Sequence, residues 1–498
     1  MSASRRALLS GGAAAGLGLA VAGAVPSLAE ASPAGRHRNR GQHTVRPDGD
    51  RSPVARVAKP FPPLVDDPDG ILALADGFSY AIVTTAGVTS LDSGEKTPGA
   101  HDGNAVFSSR GRYRLIQNHE QGGGATYGVP HLEGTVYDPG ALAAGGCTVI
   151  TTDARGRNLG EFVAISGTVD NCAGGPTPWG SWLTCEETED RAGTTWEGED
   201  GAATGTYQKD HGYVFEVFQD GRTLPEPIKA FGRFAHEALA IDADRTHVFL
   251  SEDADGPNGL FYRWTAPRGY RLRAGIAEQL GDRSGRLEAM RIHLPDGSIL
   301  PDVAYLTSAQ LGLPFRVTWA EVPDRDARTT STREQFADGE ITRGRKFEGV
   351  WGTDKGVYVV NSYAWEDGDL PADAVPHDGM VWFYDYEEET ISLVTYFPHQ
   401  LTAETEEAAA YDDLTFDGPD NVTVTPWGSL VLAEDGVGAS HVLAAVPYGP
   451  AQAIARNMLN DSEFTGPVFS EDGKVLFVNM QDPGYTLAIT GPWERYLG

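Results

Sequence analysis

The sequence predicts an all-β protein, and three observations carry that prediction. Glycine and proline are abundant, at 61 and 31 of 498 residues, which makes a chain of many short elements joined by turns. Only 40% of residues are hydrophobic, and no long stretch repeats apolar residues at the i, i+3, i+4, i+7 spacing of an amphipathic helix. Six times, a turn containing Gly, Pro or Asp leads into a short run of β-prone residues that ends in an acid or an asparagine.

The six units run in order along the chain. SSRGRYRLIQNHE ends at Glu120, TPWGSWLTCEE at Glu187, and DADRTHVFLSEDADG reaches Glu252 and Asp253. GTDKGVYVVNSY reaches Asn361, TPWGSLVLAEDG reaches Glu434 and Asp435, and SEDGKVLFVNMQDPG reaches Asn479 and Asp482. Repetition of this kind predicts small sheets arranged radially, a β-propeller of about six blades with short helical and loop insertions. Equivalent strands then end on one face near the central axis, so acids far apart in sequence converge. The longest gap, residues 265–340, is expected to hold a further strand or two plus an insertion. Short helices are expected near 306–311, 403–410 and 451–458.

The formal net charge is -31, although the first 56 residues hold eight arginines against only three acids. Such an acidic body repels nucleic acid and anionic membranes and attracts cations. The N-terminus reads as targeting: Arg5 and Arg6, an Ala/Gly-rich apolar stretch, then small residues around Ala29 and Ala31. Residues 1–31 are therefore expected to be a twin-arginine signal, which exports proteins already folded. The apolar stretch is too short and weakly hydrophobic for stable membrane insertion. Residues 32–57 read as a disordered leader, and 58–498 as one catalytic propeller domain. Export through the twin-arginine machinery would place the protein in the periplasm or outside the cell, as a monomer.

Carboxylates converging on a partly dry mouth repel one another unless cations lie between them. Hard oxygen donors of this kind suit calcium. Cys172 adds a soft ligand, which points to a transition metal. The alternative for that thiol is a disulfide with Cys185, leaving Cys147 free. Strand alternation puts Leu183, Cys185 and Glu187 on one face and Trp182, Thr184 and Glu186 on the other. If Cys185 packs in the core, Glu186 is the expected ligand, with both acids contributing only if the strand end twists. Glu237 in GRFAHEALAI and Glu348 in RKFEGVWG fit the same ring, while His236 reads as a hydrogen-bonded structural residue. The tract at 365–380 reads as a solvated, turn-rich loop.

These segments resemble the bacterial alkaline phosphatases of the PhoX family. Asn118-His119-Glu120 matches the family's N-H-E, Asn171 to Glu187 matches N-C-x-x-G-x-T-P-W-G-x-x-L-T-C-E-E, and Gly232 to Glu237 matches G-R-F-x-H-E. Glu463 to Gly484 matches the C-terminal motif, so the resemblance extends over roughly residues 75–485. It implies a secreted phosphomonoesterase with a mixed cluster on the axis: two Fe3+ ions held by a thiolate and glutamates, and several Ca2+ ions held by further carboxylates. Carried over, the thiolate is Cys172. The carboxylate shell is Glu120, Glu187, Glu237, Glu348, Asp435 and Glu463, with Glu186 and Asp420 as additional members. Asn118 and Lys346 are assigned to the reaction on a small phosphomonoester.

The sequence also departs from the family. Lys346-Phe347-Glu348 stands where relatives have Arg-Pro-Glu, and a lysine cannot copy the bidentate grip of an arginine on phosphate. Gln481-Asp482-Pro483-Gly484 stands where relatives have Gln-His-Pro-Gly. Two competing readings follow: a calcium-dependent propeller esterase or lactonase, and a calcium-stabilised binding propeller without catalysis.

Overall fold

The computed structural model describes residues 59–109, 111–196, 205–222, 224–365, 368–400 and 413–498. The expected signal and leader lie outside these residues, as does the helix expected near 403–410. Among the described residues no helix is long and apolar enough to cross a membrane.

Six small antiparallel sheets follow one another around a central axis, each starting with its innermost strand. Blade one is built from His101–Ser109, Arg112–His119, Gly145–Asp153 and Asn158–Thr168. Blade two is Asn171–Pro176, Ser181–Glu186 and Val214–Phe218, with a separate hairpin of Thr195–Trp196 and Gly205–Thr206. Blade three begins with His236–Ile241 and His247–Glu252, then Phe261–Thr265 and Arg286–His293. Blade four is Phe347–Gly352, Gly356–Asn361, His377–Asp385 and Thr390–Pro398. The strand Pro314–Glu321 pairs with the outermost strands of both, joining blades three and four into one nine-stranded sheet.

Blade five is Pro419–Val424, Leu430–Glu434, His441–Ala445 and Ala451–Asn457, and its edge is covered by Leu72–Ala75 and Leu64–Val65. Blade six contributes Phe464–Phe469, Val475–Met480 and Tyr485–Thr490, and its outer strand, Ser79–Thr85, comes from the start of the domain. That closure hides an edge and ties the start of the described domain to its last blade. Each inner strand packs against the next, and the sixth against the first. The cores lie between blades. Leu183, Cys185, Leu239 and Leu250 pack between blades two and three, and Val431, Phe464, Leu476 and Trp493 between five and six.

The six sequence units are the second strands of the six blades, one each. The gap at 265–340 holds Arg286–His293, Pro314–Glu321 and the short helix Ile276–Gln279, as expected. Near 306–311 the backbone makes a 3-10 turn at Ser308–Gln310. The helix expected over 451–458 is instead the strand Ala451–Asn457. Its alanines favour a helix locally, but pairing on both sides, to His441–Ala445 and Leu72–Leu74, overrides that preference. The 365–380 tract is also more than a solvated loop. It enters the strand His377–Asp385, and Asp369 is buried against the Arg345 guanidinium at 2.7 Å.

Candidate metal centre

Every blade breaks register near the start of its inner strand, five of them directly after its first residue and the sixth one residue later. The first inner residue pairs with the last residue of the second strand: His101 with His119, Asn171 with Glu186, His236 with Glu252. Phe347 with Asn361, Pro419 with Glu434 and Phe464 with Met480 repeat the pairing. A bulge follows in each. An extra residue in one strand re-aims its side chains, here toward the axis. The residue that begins the bulge is Asp102, Cys172, Glu237, Glu348 or Asp420 in the first five blades and Gly466 in the sixth, where Thr465 still pairs with Asn479. In the first four blades the next residue is small, Gly103, Ala173, Ala238 and Gly349, because neighbouring inner strands meet there. A Cβ on Gly103 would lie 2.6 Å from the Ala173 Cα, and one on Gly466, which has φ 55°, 2.7 Å from the Asp102 carbonyl.

The residue just after each second strand supplies a second ring: Glu120, Glu187, Asp253, Ser362, Asp435 and Gln481. Among the described residues these rings bring two ligand groups together. Cys172, Glu187 and Glu237 offer donor atoms within 4.8 Å of one another, as do Glu237, Glu348 and Asp420. Glu237 belongs to both. One group mixes a thiol with carboxylates and the other is all oxygen, so the donors fit a transition metal beside a hard cation.

Burial and mutual repulsion act on these groups in the same direction. Burial, then Asp420, Glu187 and Glu348, push the Glu237 carboxyl well above the ordinary range. Burial with Glu348 and Asp102 does the same to Asp420, and burial with Asp253 and Glu120 to Glu187. Glu348 is pushed up to about 8 by burial and Asp253. The Cys172 thiol is raised by burial, Glu237 and Glu187. Cations between these atoms would reverse each of these shifts by favouring the charged forms. All three cysteines are buried free thiols, so the Cys172–Cys185 disulfide left open by the sequence is not made.

Glu186 does not join the group. It accepts hydrogen bonds from the backbone N–H groups of Val169 (3.0 Å), Gly212 (2.9 Å) and Tyr213 (3.1 Å), and pairs with His211 Nδ1 at 2.6 Å. Cys185 does pack in the core, but the strand stops at Glu186, so alternation no longer governs Glu187. The Glu187 N–H turns back to the Asp170 carbonyl and its carboxylate reaches the thiol. Adjacent acids divide the same way in blades three and five. Glu252 is held by Arg333 at 3.1 Å and Glu434 by His441 at 2.8 Å, while Asp253 and Asp435 turn inward beside Glu348.

Asn118 likewise faces structure, not substrate. Its amide donates to the Cys172 and Ala173 carbonyls, both at 2.8 Å, and its oxygen accepts from Trp182 Nε1 (2.9 Å) and Thr184 Oγ1 (3.0 Å). It fixes the strand that carries the thiol. Asn118→Ala would leave several buried groups unpaired, and a loss of about 3–5 kcal/mol in denaturant unfolding is expected. Glu120 accepts from Gln481 Nε2 at 2.6 Å and faces Glu187. Glu463 is buried just ahead of the inner strand of blade six, where its backbone carbonyl accepts from the Gln481 N–H, and it is in neither ligand group. Lys346 Nζ sits 2.7 Å from Asp253. His236 is structural, stacked on Phe234 and bonded to the Gly232 carbonyl at 3.2 Å.

Asp102 and Asp253 were not among the sequence candidates for the site. Asp253 was visible as the second acid of an Glu-Asp pair. Asp102 follows His101 as Glu237 follows His236, and the acid lies 18 residues ahead of Glu120 in one blade and 16 ahead of Asp253 in the other.

His211 lies between Glu186 and Asp138 (3.2 Å), and His441 between Glu434 and Asp413 (3.4 Å). Burial would lower both pKa values, but the carboxylates, Glu186 and Glu434 foremost, raise each to about 9. A histidine raised in the folded state stabilises fully below its unfolded pKa near 6.5 and loses that contribution as pH rises through 9. His211→Gln/His441→Gln is therefore expected to cost a few kcal/mol at pH 6 and progressively less toward pH 10, read from unfolding midpoints.

Fold and site together define a six-bladed all-β propeller with an anionic, thiol-bearing mouth on its axis. The profile of the alkaline phosphatase PhoX family matches residues 59–160 and 153–484. The chain belongs to that family, which is metal-dependent, and is a phosphoric monoester hydrolase. The structure of Pseudomonas fluorescens PhoX in complex with vanadate, a transition state analogue, is similar at TM-score 0.59 and 19% identity, covering 87% of this chain and 98% of that one. At that identity the likeness speaks for the fold. The Neurospora crassa Pan2 WD40 domain is a far weaker match, at TM-score 0.33 and 8% identity over 79% of this chain and 90% of that one, and carries no argument. No curated protein matches the sequence.

Proposed function

We propose that this protein is a secreted alkaline phosphatase that hydrolyses small phosphomonoesters at the propeller axis with iron and calcium. Cys172, Glu187 and Glu237 would hold ferric iron, and Glu237, Glu348 and Asp420 would hold calcium, with Asp435, Glu120 and Asp102 close enough to complete the shell. The observation that carries this reading is Glu237, the one side chain common to a thiol-bearing group and an all-carboxylate group. When bound, such ions would offset the charge of the phosphate ester and supply an activated oxygen nucleophile.

The chain's own residues provide position and dryness. Asn118 fixes the backbone behind Cys172, and the Glu186–His211 pair fixes the turn that delivers Glu187. The buried Arg345–Asp369 pair holds the segment leading to Glu348. The carboxylates of this mouth outnumber the single ammonium of Lys346, so a phosphate dianion entering without further cations would meet net repulsion, which is why the reading requires metals. The twin-arginine pattern supports folding and metal loading before export, and the export machinery is then the partner, with residues 58–498 acting as one monomeric catalytic domain.

The test is elemental analysis of the chelator-treated, refilled protein beside hydrolysis of a chromogenic phosphomonoester. Retained iron with calcium-dependent turnover is the expected result. Calcium without iron, and no phosphate released, would sink the mixed-metal reading.

A further inference from the structure

Lys346 is the family departure expected to weaken the grip on phosphate, yet its ammonium is committed elsewhere. Its φ of 49° lies in the left-handed region, which is costly for a residue with a Cβ. Two contacts hold it there: its N–H donates to the Ala254 carbonyl at 3.3 Å, and its own carbonyl accepts from the Ser362 N–H at 3.2 Å. Those partners lie just beyond the second strands of blades three and four. The conformation sends the side chain across the mouth between these blades. There Nζ stands 2.7 Å from Asp253 Oδ2 and 3.9 Å from Glu348 Oε1.

Asp253 in turn shares a hydrogen bond with Glu187. Despite these neighbours, Asp253 belongs to neither ligand group.

The geometry points to Lys346 as a tethered cation, its ammonium taking the place that a divalent ion would otherwise fill between Asp253 and Glu348. An ammonium and a calcium ion both seek hard carboxylate oxygens, but the ammonium is delivered by the chain itself and cannot be chelated away. A neutral side chain at 346 then opens a calcium site that the native protein lacks. This inference rests on the metal-binding reading of the axis.

The test compares the full-length protein with Lys346→Gln and Lys346→Gln/Asp253→Asn, each stripped with chelator, refilled with iron and calcium, and analysed for metals per chain. Lys346→Gln is expected to take up one more calcium ion than the native protein, and the double variant to return to the native number. Equal or lower calcium in Lys346→Gln overturns the inference. Should that variant fail to fold, Asp253→Asn alone decides: unchanged calcium is expected, and loss of one ion overturns it. A native protein that takes up neither metal would instead sink the metal reading itself.

Discussion

Replacing Glu237 with glutamine is expected to lower kcat/KM for a phosphomonoester by at least about 10^3-fold, roughly 4 kcal/mol of transition-state stabilisation. Both ligand groups contain Glu237, so an uncharged amide weakens both at once. Metal analysis of the refilled variant should show both iron and calcium reduced. Stability supplies an independent readout. Without metal, Glu237 lies against Asp420, Glu187 and Glu348, and burial with their charge pushes its carboxyl well up. Glutamine relieves that repulsion, so the chelated variant should melt at or above the chelated native protein. Refilling should then stabilise the native protein more than the variant, because a ligand that binds only the folded state stabilises in proportion to its affinity. A variant with native activity and native metal content would show that Glu237 is not a shared ligand.

Cys172→Ser is expected to separate the two groups. The thiol is the single soft donor among them, and its change to a hydroxyl removes the preference for a transition metal. Iron should fall below the detection of elemental analysis while calcium on Glu237, Glu348 and Asp420 is retained. Hydrolysis should fall by at least about 10^3-fold. The fold should hold, since serine fits the same space and the Cys172 carbonyl keeps its bond from Asn118. Retention of iron and activity in this variant would remove the thiolate from the mechanism.

Much of the site was legible because the propeller repeats. The Glu-Glu of blade two and the Glu-Asp of blades three and five sit at the same structural place, so a local pattern in sequence became a ring in space. Which acid of each pair turns inward was not legible. Alternation placed Glu186 opposite Cys185 and so toward the metal, yet Glu186 accepts three backbone hydrogen bonds and a histidine. Its partners Val169, His211, Gly212 and Tyr213 lie on segments before and after the strand, and no periodicity within the strand announces them. Asn118 was misassigned for the same reason, since its partners are carbonyls of the next blade. Asp102 was missed because blade one opens before the first repeated unit.

The sequence by itself determined the turn-and-strand composition, the number of repeated units, the acidic surplus and the placement of Cys172 just ahead of the second repeated unit. These are local properties, set by residue type and spacing. The tertiary structure alone decided which carboxylates meet. Bulges at the start of all six inner strands turn Cys172, Glu237, Glu348 and Asp420 toward one point, while buried histidine and arginine neutralise the neighbouring glutamates. That choice depends on contacts between blades, where close packing and charge compensation act over distances in sequence that no local pattern encodes.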